Sequence, residues 1–114
     1  MKPVMVVGAI ALLVGATPAL GAGHKTVKIG DNFFTPRTLT VAKGTTVTWK
    51  WPGFDEAGDV HDVKLKSGPK HVKKFHSQAA ATDYTFKRRL KVPGKYKIIC
   101  TLHEDMRMTI RVLH

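Results

Sequence analysis

Three residues near the C-terminus have types and spacing suited to a redox metal. Cys100, His103 and Met106 form the series Cys-x2-His-x2-Met. A thiolate and imidazoles are acceptable to both Cu(II) and Cu(I), and a thioether adds a weak, long axial contact. Such a donor set lies between the geometries that the two oxidation states prefer, so little moves when an electron arrives or leaves. The loop is short, which restricts where its three side chains can point. A fourth donor must come from elsewhere, and His61 is the best candidate. It opens the alternating run His61, Val63, Leu65, with Asp62 and Lys64 on the other parity. That parity aims the imidazole inward, where a polar ring needs a partner. Zinc would accept a thiolate and two imidazoles, but a methionine is not expected among its ligands. The plain alternative is a small buried cysteine and a surface histidine. The joint spacing and the inward His61 argue against it.

The elements that would position these residues are strands. Period-two patterning runs through most of the chain after residue 24. Val27 and Ile29 alternate with Lys28, and Leu39 and Val41 are flanked by Thr38 and Thr40. Val47, Trp49 and Trp51 share one parity, as do Tyr96, Ile98 and Cys100. Met106, Met108, Ile110 and Val112 oppose Arg107, Thr109 and Arg111. Alternation of this kind buries one face of a sheet. Lys43-Gly44 suggests a hairpin between the runs 39–41 and 47–51. Pro93-Gly94 separates 84–90 from 95–100, with Pro setting the first turn position and Gly supplying positive φ. Short strands at this spacing indicate a sandwich or barrel. The segment 52–60 reads as a loop. The segment 67–82 reads as irregular, with a short strand near Phe75 and a helical turn at 78–81.

The 114 residues suffice for one domain. Lys2 is followed by an apolar run over residues 4–16 and then Thr17-Pro18-Ala19-Leu20-Gly21, the layout of an export signal cleaved after Gly21. Residues 22–114 then form the mature domain, exported to the periplasm, the exterior or the cell surface. An uncleaved membrane anchor is the alternative, but the run is short for a span and Pro18 interrupts it. A domain this small often adds disulfides or a metal. With Cys100 as its single cysteine it can form no internal disulfide, which directs attention to a metal. The net charge of +11 favours encounters with acidic proteins or anionic surfaces. Nucleic acid is disfavoured by the export signal and by the lack of any nucleic-acid motif.

These residues resemble the plastocyanin, amicyanin and pseudoazurin branch of the cupredoxins, the type 1 blue-copper proteins. Phe34-Thr35-Pro36, Leu39-x-Val41 and Gly44-x-x-Val47-x-Trp49 are similar to the family's N-terminal strands. His61-Asp62-Val63 resembles the strand that bears the first histidine, and Phe86, Pro93-Gly94, Tyr96 and Cys100 the approach to the ligand loop. The two-residue gaps look most like amicyanin. The resemblance implies an all-β, Greek-key sandwich of about eight strands in two sheets, with one copper ion at one end. It implies His61, Cys100 and His103 as equatorial ligands and Met106 as the axial one. Met108 competes for the axial place. Aligning Ile110 and Val112 with the family's closing strand favours Met106 and puts Met108 where the family usually has Gly.

Some positions depart from the family. Asp62 stands where the family often has Asn, whose side chain helps to tie the ligand loops. Leu102 stands where Pro is common, and Glu104 and Asp105 add carboxylates beside the metal loop. The expected function is electron transfer, with Cu(II)/Cu(I) cycling between protein partners and His103 as the exit. The expected partner is a transient redox protein with an acidic docking surface, met by a basic flank around Lys70, His71, Lys73, Lys74 and His76. A monomer is expected, with no enzyme activity. A copper-delivery protein without a redox circuit is the alternative. The other histidines, His24, His71, His76 and His114, read as solvated surface. His24 would become a copper-chelating N-terminus only if cleavage fell after Gly23.

Overall fold

The computed structural model describes residues 21–54 and 56–114. The strands are β1 His24–Ile29, β2 Phe34–Thr35, β3 Thr38–Ala42, β4 Thr45–Lys50, β5 Lys64–Ser67, β6 Thr85–Leu90, β7 Gly94–Ile99 and β8 Arg107–Leu113. They form two four-stranded sheets, ordered β2-β1-β4-β6 and β3-β8-β7-β5. Both are mixed: β1 pairs parallel with β4 and β3 parallel with β8, while the other named pairs are antiparallel. The all-β sandwich expected from the patterning is the observed architecture, and no described residue is helical.

The alternation converts directly into a core between the sheets. Val47 and Trp49 of β4 are wholly buried, as are Ile98 of β7 and Ile110 of β8, whereas Arg107 and Arg111 face solvent. Trp49 sits 5.9 Å from Phe75 and 6.0 Å from Phe86, ring centroid to centroid. The ring planes are tilted by 49° and 47°, and the centroid distances fall in the range where aromatic pairs attract.

Two local expectations change. Residues 43–44 do not close a hairpin, because β3 and β4 lie in different sheets. Gly44, at φ 90°, turns a corner between the layers instead. Alternation reports which face of a strand is buried, not which strand lies beside it, and β3 finds its partner far along the chain in β8. The helical turn expected at 78–81 is absent. Ala80 instead exchanges two backbone hydrogen bonds with His61, at 2.9 and 3.0 Å. This tertiary pairing outweighs the helical preference of an alanine-rich run. The strand expected near Phe75 is present as single bridges, Lys64 to His76 and His61 to Ala80. The expected strand around 61–65 becomes regular only from Lys64.

The parallel pairing of β1 with β4 brings Ile29 and Lys50 to one end of the sandwich. The end of β7 and the start of β8 lie at the same end, so the segments 30–33, 51–63 and 100–106 converge there. The expected signal segment, residues 1–21, falls almost wholly outside the described residues.

Candidate metal centre

Cys100 follows the last residue of β7 on the inward parity of Tyr96 and Ile98, and it is buried. The loop from 101 to 105 returns the chain to Met106 just before β8. The Cys100 N–H donates to the Met106 carbonyl at 2.9 Å, and the Met106 N–H donates to the His103 carbonyl at 3.1 Å. These two bonds close the loop into a tight unit. Met106 stands across from Cys100, while Met108 stands across from Ile98, one inward step further from the loop. Both methionines are buried.

His61 reaches the same place from the other loop. Its ring is fully buried, and Nδ1 lies 4.0 Å from the Cys100 Sγ. Its Nε2 is 2.7 Å from the Ala57 carbonyl, so Nε2 carries the proton and donates. Nδ1 is then left as a free lone pair facing the sulfur. A ring nitrogen fixed by a backbone acceptor is the usual way of setting a ligand tautomer. His103 packs against His61 with ring centroids 4.7 Å apart. Its Nε2 lies 3.1 Å from the Val60 carbonyl and 3.8 Å from the Asp59 carboxylate. His61, Cys100 and His103 each offer one donor atom, and these atoms lie within 4.8 Å of one another. A soft sulfur, two imidazole nitrogens and a nearby thioether suit copper. Burial raises the Cys100 thiol above its ordinary value, the Asp62 carboxylate adding to this, while backbone hydrogen bonds partly offset the rise.

Asp62 ties the segment that bears His61 to the loop that follows Cys100. It accepts from the Thr101 N–H at 2.7 Å, from the Thr101 hydroxyl at 2.5 Å and from His76 Nε2 at 2.8 Å. Burial pushes its carboxyl upward, but the hydrogen bonds from His76 and Thr101 outweigh this and leave it below the usual carboxylate value. The position where the family often carries Asn therefore makes the cross-loop tie with a carboxylate. His76, expected as plain surface, is part of this tie. Ala57 and Thr101 were not legible as supporting residues, because each acts through its backbone or through a partner distant in sequence. His24 lies on β1 at the far end of the sandwich and belongs to no metal-type cluster among the described residues.

The fold and the donor set together define a cupredoxin: a two-sheet sandwich with a thiolate-and-imidazole pocket between loops at one end. Residues 22–113 match the family of copper binding proteins, plastocyanin/azurin family, and the chain belongs to that family. It is 31% identical over 100 residues to amicyanin-alpha of Methylorubrum extorquens, covering 85% of this chain and 81% of that protein. A reduced Cu(I) form of an amicyanin variant superposes with a TM-score of 0.65 at 25% identity, covering 85% of this chain and 87% of the other. A pseudoazurin from Sinorhizobium meliloti shares the fold, with a TM-score of 0.66 at 21% identity, covering 81% of this chain and 75% of the other. A copper-containing nitrite reductase from Thermus scotoductus also superposes, with a TM-score of 0.65 at 26% identity over 96% of this chain. The present chain spans only 25% of that enzyme's length.

Proposed function

We propose that this protein is an exported blue-copper electron carrier, with His61, Cys100 and His103 as the equatorial ligands and Met106 as the axial one. The carrying observation is the gathering of the His61, Cys100 and His103 donor atoms within 4.8 Å in a buried pocket. When bound there, copper supplies a one-electron Cu(II)/Cu(I) couple. The residues around it hold the donors still. Ala57 fixes the His61 tautomer, Asp62 locks the 61–62 segment to Thr101, and the backbone bonds between Cys100, Met106 and His103 set the loop. A framework this constrained lowers the rearrangement that accompanies a change of charge. The position of Met106 across from Cys100 supports it over Met108 as the thioether donor.

The partner contact belongs at His103. It is the donor residue that reaches the surface, its side chain 22% exposed. Leu102 beside it is 52% exposed, and Val60 adds a further exposed apolar group. Transient redox complexes are small, with apolar contact at the centre and charge steering at the edge. The reading includes a monomer, an acidic surface on the partner, export through the residue 1–21 signal with 22–114 as the mature domain, and no catalysis.

The test is a visible and electron-paramagnetic spectrum of residues 22–114 after addition of Cu(II). An intense thiolate-to-copper band with narrow copper hyperfine splitting is expected, and Cys100→Ser should abolish it. A weak spectrum typical of nitrogen and oxygen ligands alone would refute the site. Rapid reversible cycling of the bound metal separates a carrier from a copper-delivery protein, which would instead hand the metal to an acceptor.

A further inference from the structure

The charges of this molecule are segregated by the topology. None of the eight strands contains Asp or Glu, although every strand except β2 and β3 carries Lys or Arg. The described carboxylates all lie in loops. Asp59 and Asp62 touch His103 and Thr101, while Glu104 and Asp105 belong to the ligand loop. Asp31 packs against Gly58, and Asp83 against Gly53, on the same loop as His61. The metal-bearing end therefore holds the negative charge, and the body and far end hold the positive charge.

At the far end, where the chain crosses from β6 to β7, segment 71–75 closes one side of a groove of about 350 Å3. Lys73, Lys74, Arg88, Arg89 and Lys91 line it, and Val72, Phe75 and Leu90 give it an apolar floor. No ion pair joins any of these five cations to a carboxylate among the described residues. Three of them are already held in place, Lys74 by donating its Nζ to the Lys66 carbonyl at 3.1 Å. The Arg88 guanidinium lies over the Phe86 ring at 4.3 Å and the Phe75 ring at 5.7 Å, and Arg89 Nε donates to the Gly44 carbonyl at 3.2 Å. Ordering two arginines in advance lowers the entropy that a bound anion must otherwise overcome. Tyr96, also at the groove, precedes Cys100 by four residues, so this part of the groove lies roughly 13 Å along the strand direction from Cys100.

We propose that this groove is a docking site for an extended, carboxylate-bearing segment of a partner protein, separate from the apolar rim at His103. Charge complementarity selects a polyanion. The concave shape and apolar floor select a peptide that alternates acidic and apolar side chains over a flat anionic bilayer, whose headgroups would meet the rim and leave the floor empty. The inference deepens the electron-carrier reading by giving its acidic partner a place to bind. A partner anchored here reaches the metal end through a second contact, and the two attachments reinforce one another.

The experiment uses residues 22–114 and a short peptide alternating glutamate with leucine, followed by two-dimensional NMR. Perturbations should centre on residues 71–75 and 88–92. Arg88→Glu/Lys91→Glu and, independently, Lys73→Glu/Lys74→Glu should each weaken binding by about tenfold or more, whereas the charge-matched Lys25→Glu/Lys28→Glu on β1 should change it less than about twofold. Thermal melts establish that each variant is folded. Absence of peptide binding, perturbations centred on the ligand loop, or equal losses in all three variants would overturn the proposal. So would tighter binding to phosphatidylglycerol vesicles than to the peptide. The copper spectrum is recorded on the same samples. Loss of the thiolate band in the unmodified protein would refute the electron-carrier reading and leave the groove result standing on its own.

Discussion

Two buried methionines compete for one role, and their neighbours separate them. Met106 stands across from Cys100, whereas Met108 stands across from Ile98 inside the β7–β8 ladder. Met106→Leu should shift the reduction potential and the visible spectrum with little loss of bound copper. Met108→Leu should leave both near wild type and lower stability by under about 1.5 kcal/mol, as a near-isosteric core exchange does. Cyclic voltammetry checks the first and thermal melts the second; the opposite pattern would shift the axial role to Met108. Asp62 carries a pH dependence. Its folded-state value lies below the ordinary one, so its stabilisation is complete above the usual carboxylate range. That contribution is lost as pH falls from about 4 through the depressed value. Asp62→Asn should remove this part of the acid sensitivity, measured as the urea midpoint of the metal-free protein between neutral and acid pH.

The strands place the site by register, and their connections are sheet-to-sheet corners as well as turns. Gly94 opens β7 at φ 139°, where a Cβ would come within 2.6 Å of the Pro69 ring. Gly94→Ala must therefore adopt a strained backbone and displace residue 69. A loss of roughly 1–3 kcal/mol is expected, seen as a lower melting temperature with the copper spectrum retained. An unchanged melting temperature would show that the corner tolerates a side chain. The same reasoning explains the mistaken hairpin at 43–44. Turn chemistry marks where a chain reverses, but choosing between a neighbour in the same sheet and one in the facing sheet depends on β8, which had to be in place to pair with β3.

Over the whole molecule, strands without carboxylates create a body of unpaired like charge beneath an acidic metal end. Self-repulsion destabilises a compact state of net charge +11 at low ionic strength. Raising salt from about 10 mM to about 150 mM, where the screening length shrinks to about 8 Å, should raise the melting temperature of the metal-free protein. Calorimetry across that range is the check, and a flat response would mean that the cations lie too far apart to repel. The same screening should slow association with an acidic partner. Salt therefore acts in opposite directions on stability and on encounter rate, and the two effects can be measured on one preparation.

The residues themselves, by type and spacing, determined a good deal. A strand parity is a local property, so the buried faces, the all-β class and the inward aim of His61 could be read before any packing was known. Donor chemistry is likewise intrinsic to Cys100, His103 and Met106. Tertiary structure decided what depends on distance across the chain. It set the 4.0 Å approach of the His61 ring to Cys100, the Ala57 carbonyl that orients that ring, and the Asp62 bridge to Thr101. It also made Ala80 extended rather than helical and sent β3 to β8. Each of these is a contact between segments that local preference cannot see, because its free energy exists only when both segments are already in place.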